Sequence, residues 1–120
     1  MANILVHIHS GPELKNKLTL SRLVAKTAVA EGQKVKLFMA ADADLALNCK
    51  SKGEIVGQGT GDVKLHLDEL AAADVEIMVS GMSAKARGYD DTLLEGLNAS
   101  FAMPDKLIVS SLDADTVLCY

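Results

Sequence analysis

NILVHIHSGPELKNKLTLSRLVAKTAVAEGQKVKLFM, Asn3 to Met39, decides the fold. Asn3 to His9 is rich in β-branched and aliphatic residues, the composition of a strand buried on both faces of a parallel sheet. Ser10-Gly11-Pro12-Glu13 breaks it. From Lys15 to Glu31 the residues Leu20, Leu23, Val24, Thr27, Ala28 and Ala30 recur at helical spacing, and Gly32 supplies the stop. Lys34 to Met39 is a second strand. Strand, helix and strand in that order form a βαβ unit, which lays two parallel strands together under a crossover helix.

The alternation continues along the chain. Ala40 to Asn48 reads as a short helix or structured loop, with Leu45 and Leu47 as its apolar contacts. Cys49 to Gly61 is polar and glycine-rich and reads as the clearest loop in the chain. Asp62 is placed to cap a helix running to Ala72, with Val63, Leu67, Leu70 and Ala71 on one face. Val75 to Val79 is a strand, Ser83 to Arg87 a short helix closed by Gly88, and Asp90 or Asp91 caps a further helix that buries Leu93, Leu94 and Leu97. Lys106 to Val109 has strand propensity, but Pro104 in a first-turn position with Leu107, Ile108 and Leu112 argues for helix. Thr116 to Tyr120 is the last strand. The pattern is that of an α/β layered fold, a single domain over residues 1–120.

Composition narrows the function. The chain has 120 residues, 49% hydrophobic and 23% charged, which is globular. Aromatics make up only 3% and the net charge is −4, so neither base stacking nor phosphate-backbone binding is supported, and no nucleic-acid partner is expected. No apolar run reaches membrane length and Asn3 to Ile8 is too short for a signal peptide, so a cytoplasmic protein without a membrane partner is expected. Cys49 and Cys119 fit no zinc or redox spacing and read as free thiols, with Cys119 buried and inert in its strand.

Two segments invite chemistry. Ser80-Gly81-Met82-Ser83 and Arg87 follow a strand at the edge where open α/β sheets bind ligands. Ser83 as a helix cap, the amides behind it and the Arg87 guanidinium would make an anion site. Equally, Ser83 is only a cap, Gly81 only a turn residue, and Arg87 pairs with Asp90 or Asp91. His9, Ser10 and Gly11 end the first strand and face the same ligand edge if the two strands are close. His9 suits acid–base or anion contact. His7 reads as a hydrogen-bonded interior histidine, and His66 as a solvated one on a polar helix face. Gly57-Gln58-Gly59-Thr60-Gly61-Asp62 is glycine-rich, but it neither follows the first strand nor contains Gly-Lys-Ser/Thr, so it is a loop or lid rather than a nucleotide cradle. No Gly-x-Ser-x-Gly elbow and no metal constellation appear. No cofactor is expected and no residue is assigned a catalytic role.

From end to end the chain resembles the DsrE/DsrF-like family, also called YchN-like. The matching features are the opening strand with SGPE, then LVAKTAVAEGQKVKLF, DVKLHLDELAAADVEIMVSGMSAKARGYDD and the closing ADTVLCY. The resemblance implies a three-layer flavodoxin-like sandwich with a mostly parallel five-stranded sheet. It also implies a homo-oligomer, a trimer or hexamer, linked to sulfur metabolism. Relatives of this kind carry sulfur as a persulfide on a cysteine at the end of the strand before the Arg-Gly pair. Here that position is Ser80, whose hydroxyl neither attacks sulfur nor holds a persulfide. The resemblance therefore suggests a module that binds a small anionic or sulfur-containing ligand, or another protein. The alternative is sulfur relay through Cys49, Cys119 or a partner's cysteine.

Overall fold

The computed structural model describes residues 1–47 and 56–120. Five strands, β1 (Asn3–Ile8), β2 (Lys34–Met39), β5 (Glu76–Ser80), β6 (Ala99–Ala102) and β7 (Thr116–Cys119), form one sheet in the order β6-β5-β2-β1-β7. Every pairing in it is parallel. Two short strands, β3 (Val56–Gly57) and β4 (Gly61–Asp62), make a separate antiparallel hairpin. The helices are α1 (Lys15–Ala30), α2 (Val63–Ala72), α3 (Gly81–Ala86) and α4 (Pro104–Asp113).

Strand order dictates the layers. From β1 through β2 and β5 to β6 the chain steps in one direction, so right-handed crossovers put α1, α2 and α3 on one face. From β6 it returns to the far side of β1, and the same handedness sends α4 to the other face. The first face is a continuous core: Val6, Ile8, Leu37, Ile77 and Val79 pack with Leu18 and Ala25 of α1, Leu67 and Leu70 of α2, and Ala84 of α3. On the second face Leu5, Phe38 and Met78 are buried beneath Leu107 of α4, where the buried Ser110 hydroxyl donates to Met78 Sδ at 3.6 Å. The result is the three-layer α/β sandwich expected.

Several local expectations need correction. Leu20, Thr27 and Ala30 of α1 are exposed, and its buried face is Leu18, Thr19, Ser21, Arg22 and Ala25. Burial of Thr19 and Ser21 is inexpensive because their hydroxyls donate to the carbonyls of Lys15 (2.8 Å) and Leu18 (2.6 Å) one turn back. Leu23, Val24 and Thr27 instead wall an open groove of about 440 Å³ with Ile4 and Leu118. The helix expected after Asp90 is a single 3-10 turn, Asp91–Leu94, and only Leu93 is buried there. The strand β6 that follows was not foreseen. The Gly57–Gly61 stretch is not a free loop but the β3–β4 hairpin, packed on α1 and α2. Pro104 does open a helix, and Asp62 does cap α2, accepting from the amides of Lys64 (2.8 Å) and Leu65 (3.3 Å). Ala41–Leu47 is a 3-10 segment.

Candidate functional site

The carboxyl end of the sheet carries the loops after β1 and β5, with His9 to Gly11 on the one and Ser80 to Arg87 on the other. The switch in crossover direction falls between β5 and β6, where the loop after β5 turns to one face and the loop after β6 to the other. Ligands in open α/β sheets bind at such a point. Ser80 ends β5 there, paired in register with Ala102.

Ser80 is nearly buried, and its hydroxyl is committed: Oγ accepts from the Ser83 amide at 3.2 Å and caps α3. Ser80, not Ser83, is therefore the cap. Ser83 reaches sideways instead, its Oγ accepting from the Ala41 amide at 2.9 Å and tying α3 to the segment after β2. Gly81 lies over Phe101, and Met82 is exposed beside it.

Arg87 does not pair with Asp90 or Asp91. Its Nη2 donates to Asp42 Oδ1 at 2.7 Å and its Nη1 to the Ser83 carbonyl at 3.1 Å. Asp90 is occupied otherwise, accepting from the amide and hydroxyl of Thr92 (3.0 and 2.6 Å). Two residues from Asp42, Asp44 is fully buried with both carboxylate oxygens unpartnered among the described residues. Burial pushes its pKa up to about 7, with the nearby Arg87 charge pulling the other way. The site thus holds one closed ion pair and one carboxyl near its titration point.

The loop after β1 reaches the same edge but sits apart. Gly11 packs where a Cβ would lie 2.6 Å from Asp42 Cβ, so only glycine fits. Ser10 is buried and its amide, with that of His9, donates to the Tyr120 carbonyl (3.3 and 2.9 Å). The register runs His9, Ala40, Ser80 across β1, β2 and β5, which separates His9 from Ser80 by about 10 Å. No imidazole or carboxylate hydrogen-bonds to Ser80 among the described residues, and its Oγ is engaged by the Ser83 amide.

His7, His9 and Cys119 form a second group. The His7 ring stands edge-on to Phe38 (5.7 Å between centroids) and to His9 (5.1 Å). It is half-buried and held by ring contacts rather than set in the interior. Burial, with His9 beside it, holds its pKa below the ordinary imidazole range. Cys119 pairs in register with His7 and is exposed, not buried as its aliphatic strand suggested, because β7 is an edge strand. Sequence reasoning missed this pairing; only the return of β7 to the side of β1 creates it. Cys49 lies outside the described residues. His66, expected in solvent, is buried, and its Nε2 donates to the Thr60 carbonyl at 2.7 Å. No cluster of three metal-ligating side chains occurs among the described residues. No helix there is long and apolar enough to cross a membrane.

Comparison with known proteins agrees with this architecture. The ychN protein from E. coli superposes over 100% of both chains with a TM-score of 0.82 at 22% identity. A conserved protein of unknown function, BT1422, from Bacteroides thetaiotaomicron covers 99% of this chain and 95% of its own, with a TM-score of 0.66 and 11% identity. At those identities the likeness concerns fold. No curated protein matches the sequence. The model of the DsrE/DsrF-like family matches residues 2–120, and the chain belongs to that family.

Proposed function

We propose that this chain is an oligomeric interaction module of sulfur metabolism, built on the sulfur-carrier fold but not itself a carrier at the family's usual position. The observation that carries the reading is Ser80. It stands where relatives would carry sulfur on cysteine, and its hydroxyl is spent on capping α3. The small-anion form of the reading draws less support, since Asp42 already neutralises Arg87. The interaction form draws more. Ile108, Val109 and Leu112 of α4 and Val117 of β7 are exposed on one side of the β7 edge. Leu23, Val24, Ile4 and Leu118 line the groove on the other side. An apolar surface wrapped around an unpaired edge strand is what a second copy of the chain would cover, and a trimer or hexamer is the assembly we infer. Its setting is the cytoplasm.

The test is the intact mass of the purified protein before and after a polysulfide donor, with thiol-blocked protein as control. The proposal expects no transferable sulfur. Sulfur gained and passed to an acceptor would favour the second reading, direct relay through Cys119. That reading is supported by the exposure of Cys119 and its register with His7. In it the Cys119 thiolate attacks the terminal sulfur of a small persulfide, the donor's S–S bond breaks, and the donor leaves as a thiolate. A Cys119→Ser chain that still took up sulfur would exclude it.

A further inference from the structure

Arg22 of α1 is the largest fully buried side chain among the described residues. Its Nε, Nη1 and Nη2 have no hydrogen-bond partner there. A buried cation without a counter-charge is among the costliest groups a fold can hold, and a native chain that keeps one is expected to supply the missing anion. No carboxylate among the described residues supplies it. Glu69 of α2 is taken by Lys26 at 3.0 Å. The charge acting on Asp44 is that of Arg87.

The surroundings are built with care. Side chains on a helix lean toward its N-terminus, so Arg22 leans toward Thr19, three residues back on the same buried face. There the β3–β4 hairpin roofs the seam between α1 and α2. Thr19 and Thr60 join through their hydroxyls, the Gln58 amide donates to Asn16 Oδ1 at 2.7 Å, and His66 Nε2 donates to the Thr60 carbonyl. The roof has to be glycine. A Cβ at Gly57 would overlap the Thr19 and Thr60 hydroxyls, and one at Gly61, whose φ is +91°, would come within 2.6 Å of His66 Nε2. The Nε2 proton fixes the His66 tautomer, which leaves Nδ1 as a bare acceptor. That atom too is buried and unpartnered among the described residues.

We propose that the α1–α2 seam under this hairpin binds one small oxyanion that bears a hydroxyl, of the hydrogen phosphate class. The Arg22 guanidinium donates to its anionic oxygens in bidentate fashion, and His66 Nδ1 accepts from its hydroxyl. Sulfate, which has no hydroxyl at neutral pH, satisfies Arg22 but not His66. The site is separate from Ser80 and stands or falls independently of the interaction reading.

Equilibrium dialysis of the wild-type chain against radiolabelled inorganic phosphate, at fixed ionic strength in chloride, tests this directly. The expected result is stoichiometric retention of phosphate, displaced weakly by sulfate and not by chloride. Thermal unfolding gives the second reading. At about 100 times the Kd, phosphate should raise the folded-to-unfolded ratio of the wild type about a hundredfold. Arg22→Met should lose both responses while melting higher than the wild type in phosphate-free buffer, because the uncompensated charge is gone. Absence of phosphate retention by the wild type overturns the site, and so does equal retention by Arg22→Met. Sulfate held as tightly as phosphate overturns the role given to His66. The dialysis needs only the wild-type chain, so it decides even if the variant fails to fold.

Discussion

The two faces of the sheet are made from the same kinds of residue and end differently. Under α1 and α2, aliphatic side chains from β1, β2, β5 and the three helices α1, α2 and α3 close over one another and even enclose a guanidinium. Under α4 the buried hydrophobic residues are Leu5, Phe38 and Met78, and the helix turns Ile108, Val109 and Leu112 outward, the last 83% exposed. The difference follows from the single reversal in strand order: three crossovers cover one face and one crossover covers the other. One face has its apolar surface covered by the chain's own helices, and the other is left with apolar surface for something else to cover.

The largest effect should come from the closed face. Leu67→Ala or Ile77→Ala removes a fully enclosed side chain and should cost about 2–5 kcal/mol in chemical denaturation, whatever the protein concentration. Leu107→Ala, on the sheet-facing side of α4, should cost less at low concentration and show a concentration dependence if the open face is completed by a second copy. Equal, concentration-independent losses would erase the contrast.

The closed side also carries the pH response. Asp44 has a folded pKa of about 7 against an ordinary 3.8, so the fold favours its neutral acid. That contribution is complete below 3.8 and is lost as pH rises to about 7. Stability should fall across that window by at most about 1.4 kcal/mol per pH unit. Asp44→Asn should flatten the slope, as read from denaturation midpoints at several pH values. A smaller loss, about 1 kcal/mol, is expected for Asp62→Ala, which removes both acceptor bonds at the start of α2. Smallest in stability is Leu112→Glu, within about 0.5 kcal/mol because the side chain is already in water. Its effect should appear in light scattering, as a shift from assembled to monomeric protein.

The parts of this architecture that were legible in the sequence are those set by local pattern. β1, α1 and β2 follow from an aliphatic run, a helical stretch and a terminating glycine. Pro104 outweighed the strand propensity of Lys106 to Val109, and Asp62 identified itself as a cap. What stayed hidden depends on neighbours. Ala99–Ala102 has weak strand propensity and is a strand because it completes the edge beside β5. The apolar stripe of α1 pointed to the wrong face because self-bonded hydroxyls and an arginine took the inner positions. His66 reads as polar on a helix wheel and is buried only because the hairpin folds over it. Ser80, Ser83 and Arg87 were placed at the correct edge, but their partners, Asp42 and Ala41, come from the segment after β2 and leave no mark at Ser80. The reach from His9 to Ser80 failed because β2 lies between their strands.

The pairing of β7 with β1 has a consequence for how the chain forms. Asn3 donates its amide to Asp115, 112 residues away, and β1 is flanked on that side by the last strand of the sequence. During synthesis that edge of β1 stays open until the closing strand has left the ribosome. The sheet therefore carries an interior strand open to mispairing until β7 is available, and that closure is the slow, long-range step that contact order predicts.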